Sequence, residues 1–76
     1  MPNLIEEYFQ SKKKTHWKTW INKHDTEYPA GTICWVLFFT DDINAPWHYG
    51  VEPTEAEAEE EIKWAIGTYL KTQGML

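Results

Sequence analysis

The chain has 76 residues, a formal net charge of −5, and 16% aromatic residues, including five tryptophans. A chain of this length forms one domain and buries only about 60% of the surface exposed by its unfolded form, so there is little room for a deep catalytic cleft. The large aromatic content excludes a disordered protein and can build a core in a small domain. We expect a single compact domain over residues 1–76.

The single cysteine and the N-terminal charges indicate the compartment. Cys34 has no second cysteine to pair with, so nothing in the sequence calls for an oxidising environment. Glu6 and Glu7 interrupt the N-terminal segment in a way that is atypical of signal peptides, and the longest apolar run, residues 33–39, is too short to span a bilayer. These features predict a cytoplasmic protein with no membrane association.

A first helix is predicted at about residues 3–14. Asn3 and Glu6 have the spacing of a capping box, in which the Asn side chain accepts from the backbone of the first turn. Apolar residues then recur at helical spacing on one face, and three lysines follow at the end of the segment, where the helix dipole favours cations. The apolar positions are Leu4, Ile5, Tyr8 and Phe9.

Residues 15–22 fit either of two structures. Trp17, Trp20 and Ile21 have helical spacing, but Thr, Trp and Ile are typical of strands. We favour a strand because two more strands are predicted downstream, at residues 33–40 and 47–51, and a two-stranded hairpin is only marginally stable in water. The predicted fold is α+β with the order helix, three-stranded antiparallel sheet, helix (αβββα); the alternative is ααββα with residues 15–23 helical.

The last helix is predicted at residues 55–71. Thr54 and Glu57 form a second capping box, and glutamates fill the first turns, where the helix dipole stabilises them. A rotation of 100° per residue separates a buried apolar stripe from a polar face. The stripe consists of Ala58, Ile62, Ala65, Ile66, Tyr69 and Leu70, and the opposite face carries Glu57, Glu60, Glu61, Trp64, Thr68 and Lys71.

The charges are segregated along the chain. Residues 1–24 carry +3, residues 25–62 carry −10 and residues 63–76 carry +2. The element order also occurs in double-stranded RNA-binding domains, but those domains begin their last helix with a basic cluster that contacts phosphates. Here the corresponding helix begins with glutamates, so we assign the chain to no family.

The glutamates and Trp64 of the last helix form one candidate binding surface. A glutamate-rich helix start is usually just a solvated face. Against this, Glu55–Glu59 and Glu57–Glu61 are like-charged pairs that repel each other, with partial relief from Lys63 beside Glu59 and Glu60. Trp64 on this face is either covered by the N-terminal helix or the C-terminal residues 75–76, or left for a partner. With Asp41 and Asp42, the surface would attract a protein partner that has a basic surface.

The lysine-rich segment is an alternative, nucleic-acid-binding site. Lysines interleaved with indoles can contact phosphates and stack on bases, and the residues concerned are Lys12, Lys13, Lys14, His16, Trp17 and Lys18. The chain has no arginine, its net charge opposes binding, and in a strand Trp17 and Trp20 point to opposite faces. We therefore expect nucleic acid to be an unlikely partner.

Catalytic and metal-binding patterns are weak. Cys34 could pair with His48 or His16 as a nucleophile and base, but it lies in an apolar strand, where a thiol is usually inert. No Gly-rich phosphate loop and no metal-ligand spacing such as CxxC or HExxH occurs. The sequence therefore predicts no catalytic residue, cofactor or metal.

Together, the acidic surface of the last helix and the weak catalytic patterns indicate a non-enzymatic, acidic protein-binding module. One form of it would be a phage- or mobile-element-encoded inhibitor whose acidic surface mimics nucleic acid and blocks a host nucleic-acid-binding protein. The alternatives are a nucleic-acid-binding module that uses residues 12–20, or an accessory subunit of a larger complex. The sequence leaves the oligomeric state open.

Overall fold

The computed structural model describes residues 3–13, 15–23, 27–39 and 47–76. The elements follow the order α1 (Leu4–Ser11), β1 (Trp17–Ile21), β2 (Ile33–Leu37), β3 (His48–Glu52) and α2 (Glu55–Thr72). The predicted αβββα fold is confirmed. The alternative with residues 15–23 helical is wrong, because this segment pairs with β2 and completes the sheet.

The sheet is an antiparallel meander with β2 in the centre. Trp17 lies opposite Leu37 between β1 and β2, and Leu37 in turn lies opposite His48 of β3. Side chains alternate between the two faces of a strand, so this register places Trp17, Trp35 and Leu37 on one face and Trp20 and Cys34 on the other. β2 is apolar on both faces, which suits its position between two neighbours.

Helix α2 packs against the face that carries Trp17, Trp35 and Leu37, and α1 packs on α2 and reaches this face through Phe9, which stacks on Trp17. These side chains are 2%, 7% and 0% exposed, and they form one core with the apolar residues of the helices. The predicted stripe of α2 is confirmed, since five of its members are buried: Ala58, Ile62, Ala65, Ile66 and Leu70. The helices therefore cover one side of the sheet only, and the fold has two layers.

Helix α1 ends three residues before the predicted boundary. Its start is as expected, with Asn3 Oδ1 accepting from Glu6 N at 3.1 Å. At the other end, the Trp17 indole Nε1 donates to the carbonyl of Phe9 at 2.7 Å, and the two rings stack with their centroids 4.3 Å apart. The last carbonyls of a helix have no intrahelical donor, and this indole provides a donor to one of them. The contact also fixes the end of α1 against the first residue of β1.

A glycine allows the core indole of Trp35 to lie across β3. A Cβ atom added at Gly50 would be 2.8 Å from Trp35 Nε1, which is closer than real Cβ contacts allow. Trp35 Nε1 is buried and finds no hydrogen-bond acceptor in the part of the chain that the structure describes. Gly50 is therefore required by packing, and Trp35 contributes its apolar surface at the cost of an unpaired donor.

The connection between β1 and β2 is held at its base by a buried asparagine. Asn22 is 3% exposed, and its Nδ2 donates to the carbonyls of Tyr28 at 3.2 Å and Pro29 at 3.3 Å. Gly31 has a φ of 93°, a left-handed conformation that glycine adopts without strain. The end of this connection is thereby held by Asn22, the first residue after β1.

Candidate interaction surface

The outer face of α2 presents an acidic ridge, by which we mean Glu57, Glu60, Glu61 and Trp64. These residues are three, four and seven positions apart, so they share one side of the helix. All four are exposed, and Trp64 is 67% exposed. The two alternatives for Trp64 were a covered and an exposed indole. The structure shows an exposed one, since neither α1 nor residues 75–76 cover it.

The cation expected to relieve this ridge is engaged elsewhere. Lys63 Nζ lies 2.9 Å from Glu6 Oε2 on α1 and 4.7 Å from the centroid of the Phe9 ring. The hydrogen bond from Lys63, followed by one from Gln10, holds the pKa of the Glu6 carboxyl below its ordinary value. The ammonium thus ties α2 to α1, and the ridge keeps most of its negative potential.

The N-terminus of α2 explains why the glutamates can gather there. Thr54 Oγ1 accepts from Glu57 N at 3.2 Å, as the capping box predicts. The helix dipole places partial positive charge at this end, which offsets part of the repulsion between neighbouring carboxylates. Asp41 and Asp42, which were predicted to extend the surface, lie outside the described residues.

The lysine stretch is divided between different parts of the fold. Trp17 is a core residue at 2% exposed, and His16 is 5% exposed, so neither ring is available to a base. Lys12 Nζ and Lys13 Nζ each lie 5.8 Å from a ring centroid of their own chain, those of Tyr8 and Trp17. Lys14 lies outside the described residues.

Lys18 instead projects from the sheet face that the helices leave uncovered. Its Nζ lies 5.8 Å from the Trp20 ring centroid, and Trp20 is 47% exposed. The expectation that Trp17 and Trp20 point to opposite faces is confirmed. Trp47, Tyr49 and Val51 share this face with Trp20. This grouping was not predicted, although the alternation of side chains over residues 47–51 would have indicated it.

Cys34 and His48, weighed in the sequence as a nucleophile and base, are not brought together. Cys34 lies opposite Val51 on the uncovered face, whereas His48 lies opposite Leu37 on the helix-covered face. No group of three or more His, Cys, Asp or Glu side chains with metal-binding geometry occurs within residues 3–13, 15–23, 27–39 and 47–76. Neither of the described helices is both long enough and apolar enough to cross a bilayer.

Comparisons with known proteins add no family to this picture. A scan against protein-family models, a search of curated proteins and a search of solved structures each found no match to the chain. The surfaces themselves therefore carry the functional argument.

Proposed function

We propose that the protein is a non-enzymatic binding module that captures a partner protein with a basic surface through the acidic ridge of α2. The single observation that carries this proposal is the exposed indole of Trp64, which lies among Glu57, Glu60 and Glu61. None of the residues that the structure describes covers it. An exposed indole within a polar rim has the composition of an interface hot spot. Exposing it to water has no benefit for the isolated domain.

The charge around the indole indicates the chemistry of the partner. Three carboxylates on one helical stripe, with Lys63 tied to Glu6, favour a surface rich in lysine or arginine. Grooves that bind nucleic acid are surfaces of this kind, so a nucleic-acid-binding protein is the proposed partner and blockage of its groove the proposed effect. Nucleic-acid binding by the chain itself is less favoured, because Trp17 and His16 are buried.

The test begins with capture of partners from a native extract, with and without nuclease, followed by kinetics on the purified partner. Trp64→Ala should raise the dissociation rate and cost about 2 kcal/mol or more, roughly 30-fold in Kd. Its matched control is Trp47→Ala, because Trp47 is 66% exposed on the other side of the sheet and its replacement should leave the affinity of a single acidic ridge for the partner unchanged.

The charges are tested separately from the anchor. Replacing Glu57, Glu60 and Glu61 by Gln should slow association, most strongly at low salt, because exposed charges mainly steer encounter. The matched control replaces Glu7, Glu27 and Glu52 by Gln, which changes the net charge by the same amount away from the ridge. Equal effects of the two triple variants would contradict a localised site, and nucleic acid that fails to compete would contradict the proposed target.

A further inference from the structure

The open sheet face is a second surface that the acidic ridge does not use. It consists of the side chains that point away from the helices: Lys18, Trp20, Cys34, Val36, Trp47, Tyr49 and Val51. Three of its rings, those of Trp20, Trp47 and Tyr49, are 47%, 66% and 79% exposed. A sheet that packs on one face usually carries polar residues on the other, so this apolar composition needs an occupant.

The shape of this face is a trough between two ridges. The bulky side chains lie at the outer strands, with Trp20 on β1, Tyr49 on β3 and Trp47 immediately before β3, whereas the central strand contributes the smaller Cys34 and Val36. Trp47 also stacks on Phe38, with centroids 4.9 Å apart, which holds its ring in place at the end of β2. We call Trp47 and Tyr49 the β3 ridge and Cys34 and Val36 the β2 trough, because large side chains of one copy can pack onto the small ones of another.

The charge of this face favours a protein surface over nucleic acid. Lys18 is the one charged side chain that the described strands direct to it, and a single cation neutralises too few phosphates to hold a strand against a net charge of −5. The acidic ridge lies on the opposite side of the sheet, and only Glu55, at the start of α2, lines a pocket beside Trp20. A second copy could therefore approach without bringing the two acidic ridges together.

We infer that the open sheet face binds a second copy of this chain, forming a two-fold symmetric dimer with the sheets face to face. A two-fold axis parallel to the strands and between β2 and β3 would place each β3 ridge over the β2 trough of the other copy, with the strands aligned as in packed sheets. The two Lys18 residues would then be about three strand spacings apart, or ~14 Å, beyond the screening length of physiological salt.

The available area sets the strength of this dimer. The three rings together offer roughly 300–500 Å² per copy at their observed exposures. A standard interface buries about 800 Å² per partner, so the rings supply about half, and the valines and the Lys18 stem add to it. The dimer should therefore dissociate in the micromolar range. The outer surfaces of the dimer would carry two acidic ridges, so one dimer could bind two partner proteins. The dimer interface and the acidic ridge share no residue.

Sedimentation velocity over a concentration series tests the dimer directly. The wild type should shift from the mass of one 9.0 kDa chain toward twice that mass as concentration rises. Tyr49→Lys and Trp47→Lys should each weaken the dimer by about tenfold or more. Trp64→Lys is the matched control, because its indole is equally exposed on the other side of the molecule, and it should dimerise like the wild type. Far-UV circular dichroism verifies that all three variants stay folded.

Two outcomes would overturn the proposal. A wild type that remains monomeric over the whole series, or a dimer that is lost in Trp64→Lys and kept in Tyr49→Lys, excludes the open sheet face as its interface.

A single-stranded oligonucleotide titrated at low salt identifies the competing occupant. Tryptophan quenching that is abolished by Tyr49→Ala, in a protein that stays monomeric, would assign this face to nucleic acid. Failure of the dimer would leave the α2 proposal standing, because the Trp64 variants test that surface separately.

Discussion

Trp17→Phe and Trp35→Phe form a matched pair that tests the hydrogen bonding of the core. Both indoles are nearly buried, at 2% and 7% exposed, and both substitutions remove a similar volume. They differ at the indole N–H: Trp17 Nε1 donates to the Phe9 carbonyl at 2.7 Å, whereas Trp35 Nε1 has no acceptor within the described residues. The difference between the two costs therefore isolates one buried hydrogen bond.

The expected difference can be worked out from these contacts. Trp17→Phe leaves the Phe9 carbonyl without its donor, and an unsatisfied buried group costs about 1–3 kcal/mol. Trp35→Phe removes an N–H group that has no acceptor within the described residues. The loss of this unsatisfied donor offsets part of the free-energy cost of the cavity. We expect Trp17→Phe to be more destabilising by about 2 kcal/mol, equivalent to roughly 8–16 °C in Tm for a domain of this size.

Urea unfolding followed by far-UV circular dichroism is the appropriate assay, because fluorescence would lose the replaced indole. Trp64→Phe is the control and should change the free energy of unfolding by no more than about 0.5 kcal/mol, since Trp64 is exposed. Equal costs for the two core variants, or a larger cost for Trp35→Phe, would refute the assignment of the Phe9 carbonyl as the partner of Trp17.

Two further predictions concern packing at β3 and the tie between the helices. Gly50→Ala should destabilise the fold by about 1–3 kcal/mol, because its Cβ would meet the Trp35 ring, and the cost should shrink in a Trp35→Phe background when measured as a double-mutant cycle. The Glu6 carboxyl has a lowered pKa because Lys63 bonds it, so its contribution to stability is present at neutral pH and lost as pH falls through that pKa. Glu6→Gln should therefore be less stable than the wild type at neutral pH, and the difference should shrink as pH falls through the lowered pKa of Glu6, in unfolding curves recorded across the acidic range. A difference that does not depend on pH would contradict the role of the ion pair.

Much of the fold could be predicted because local signals agreed with one another. The capping boxes at Asn3 and Thr54 mark true helix starts, and the apolar period of α2 identifies the stripe that packs on the sheet. The assignment of β1 came from the need for a third strand, not from periodicity, which also allowed a helix. The end of α1 could not be predicted, because it depends on the contact between Phe9 and Trp17, eight residues apart.

The surfaces were predicted less completely than the fold. Helical geometry places Glu57, Glu60, Glu61 and Trp64 on one side, but the direction taken by Lys63 depends on where α1 packs. The open sheet face required knowledge of which face the helices cover, and the sequence of β2, apolar on both sides, gives no preference. The lysine stretch looked like one site because its residues are adjacent in sequence, yet Lys12 and Lys13 follow the end of α1, and β1 directs Trp17 and Lys18 to opposite faces.

The order of strands in the sheet has a consequence for how the chain folds. Each strand pairs with its neighbour in sequence, so the meander closes connections of only about ten residues, whereas the contact between Glu6 and Lys63 joins opposite ends of the chain. We expect the meander and α2 to assemble first and α1 to dock last. By the same argument α1 is the element that detaches at the lowest free energy in the native state, exposing the Phe9 and Trp17 rings before the sheet opens.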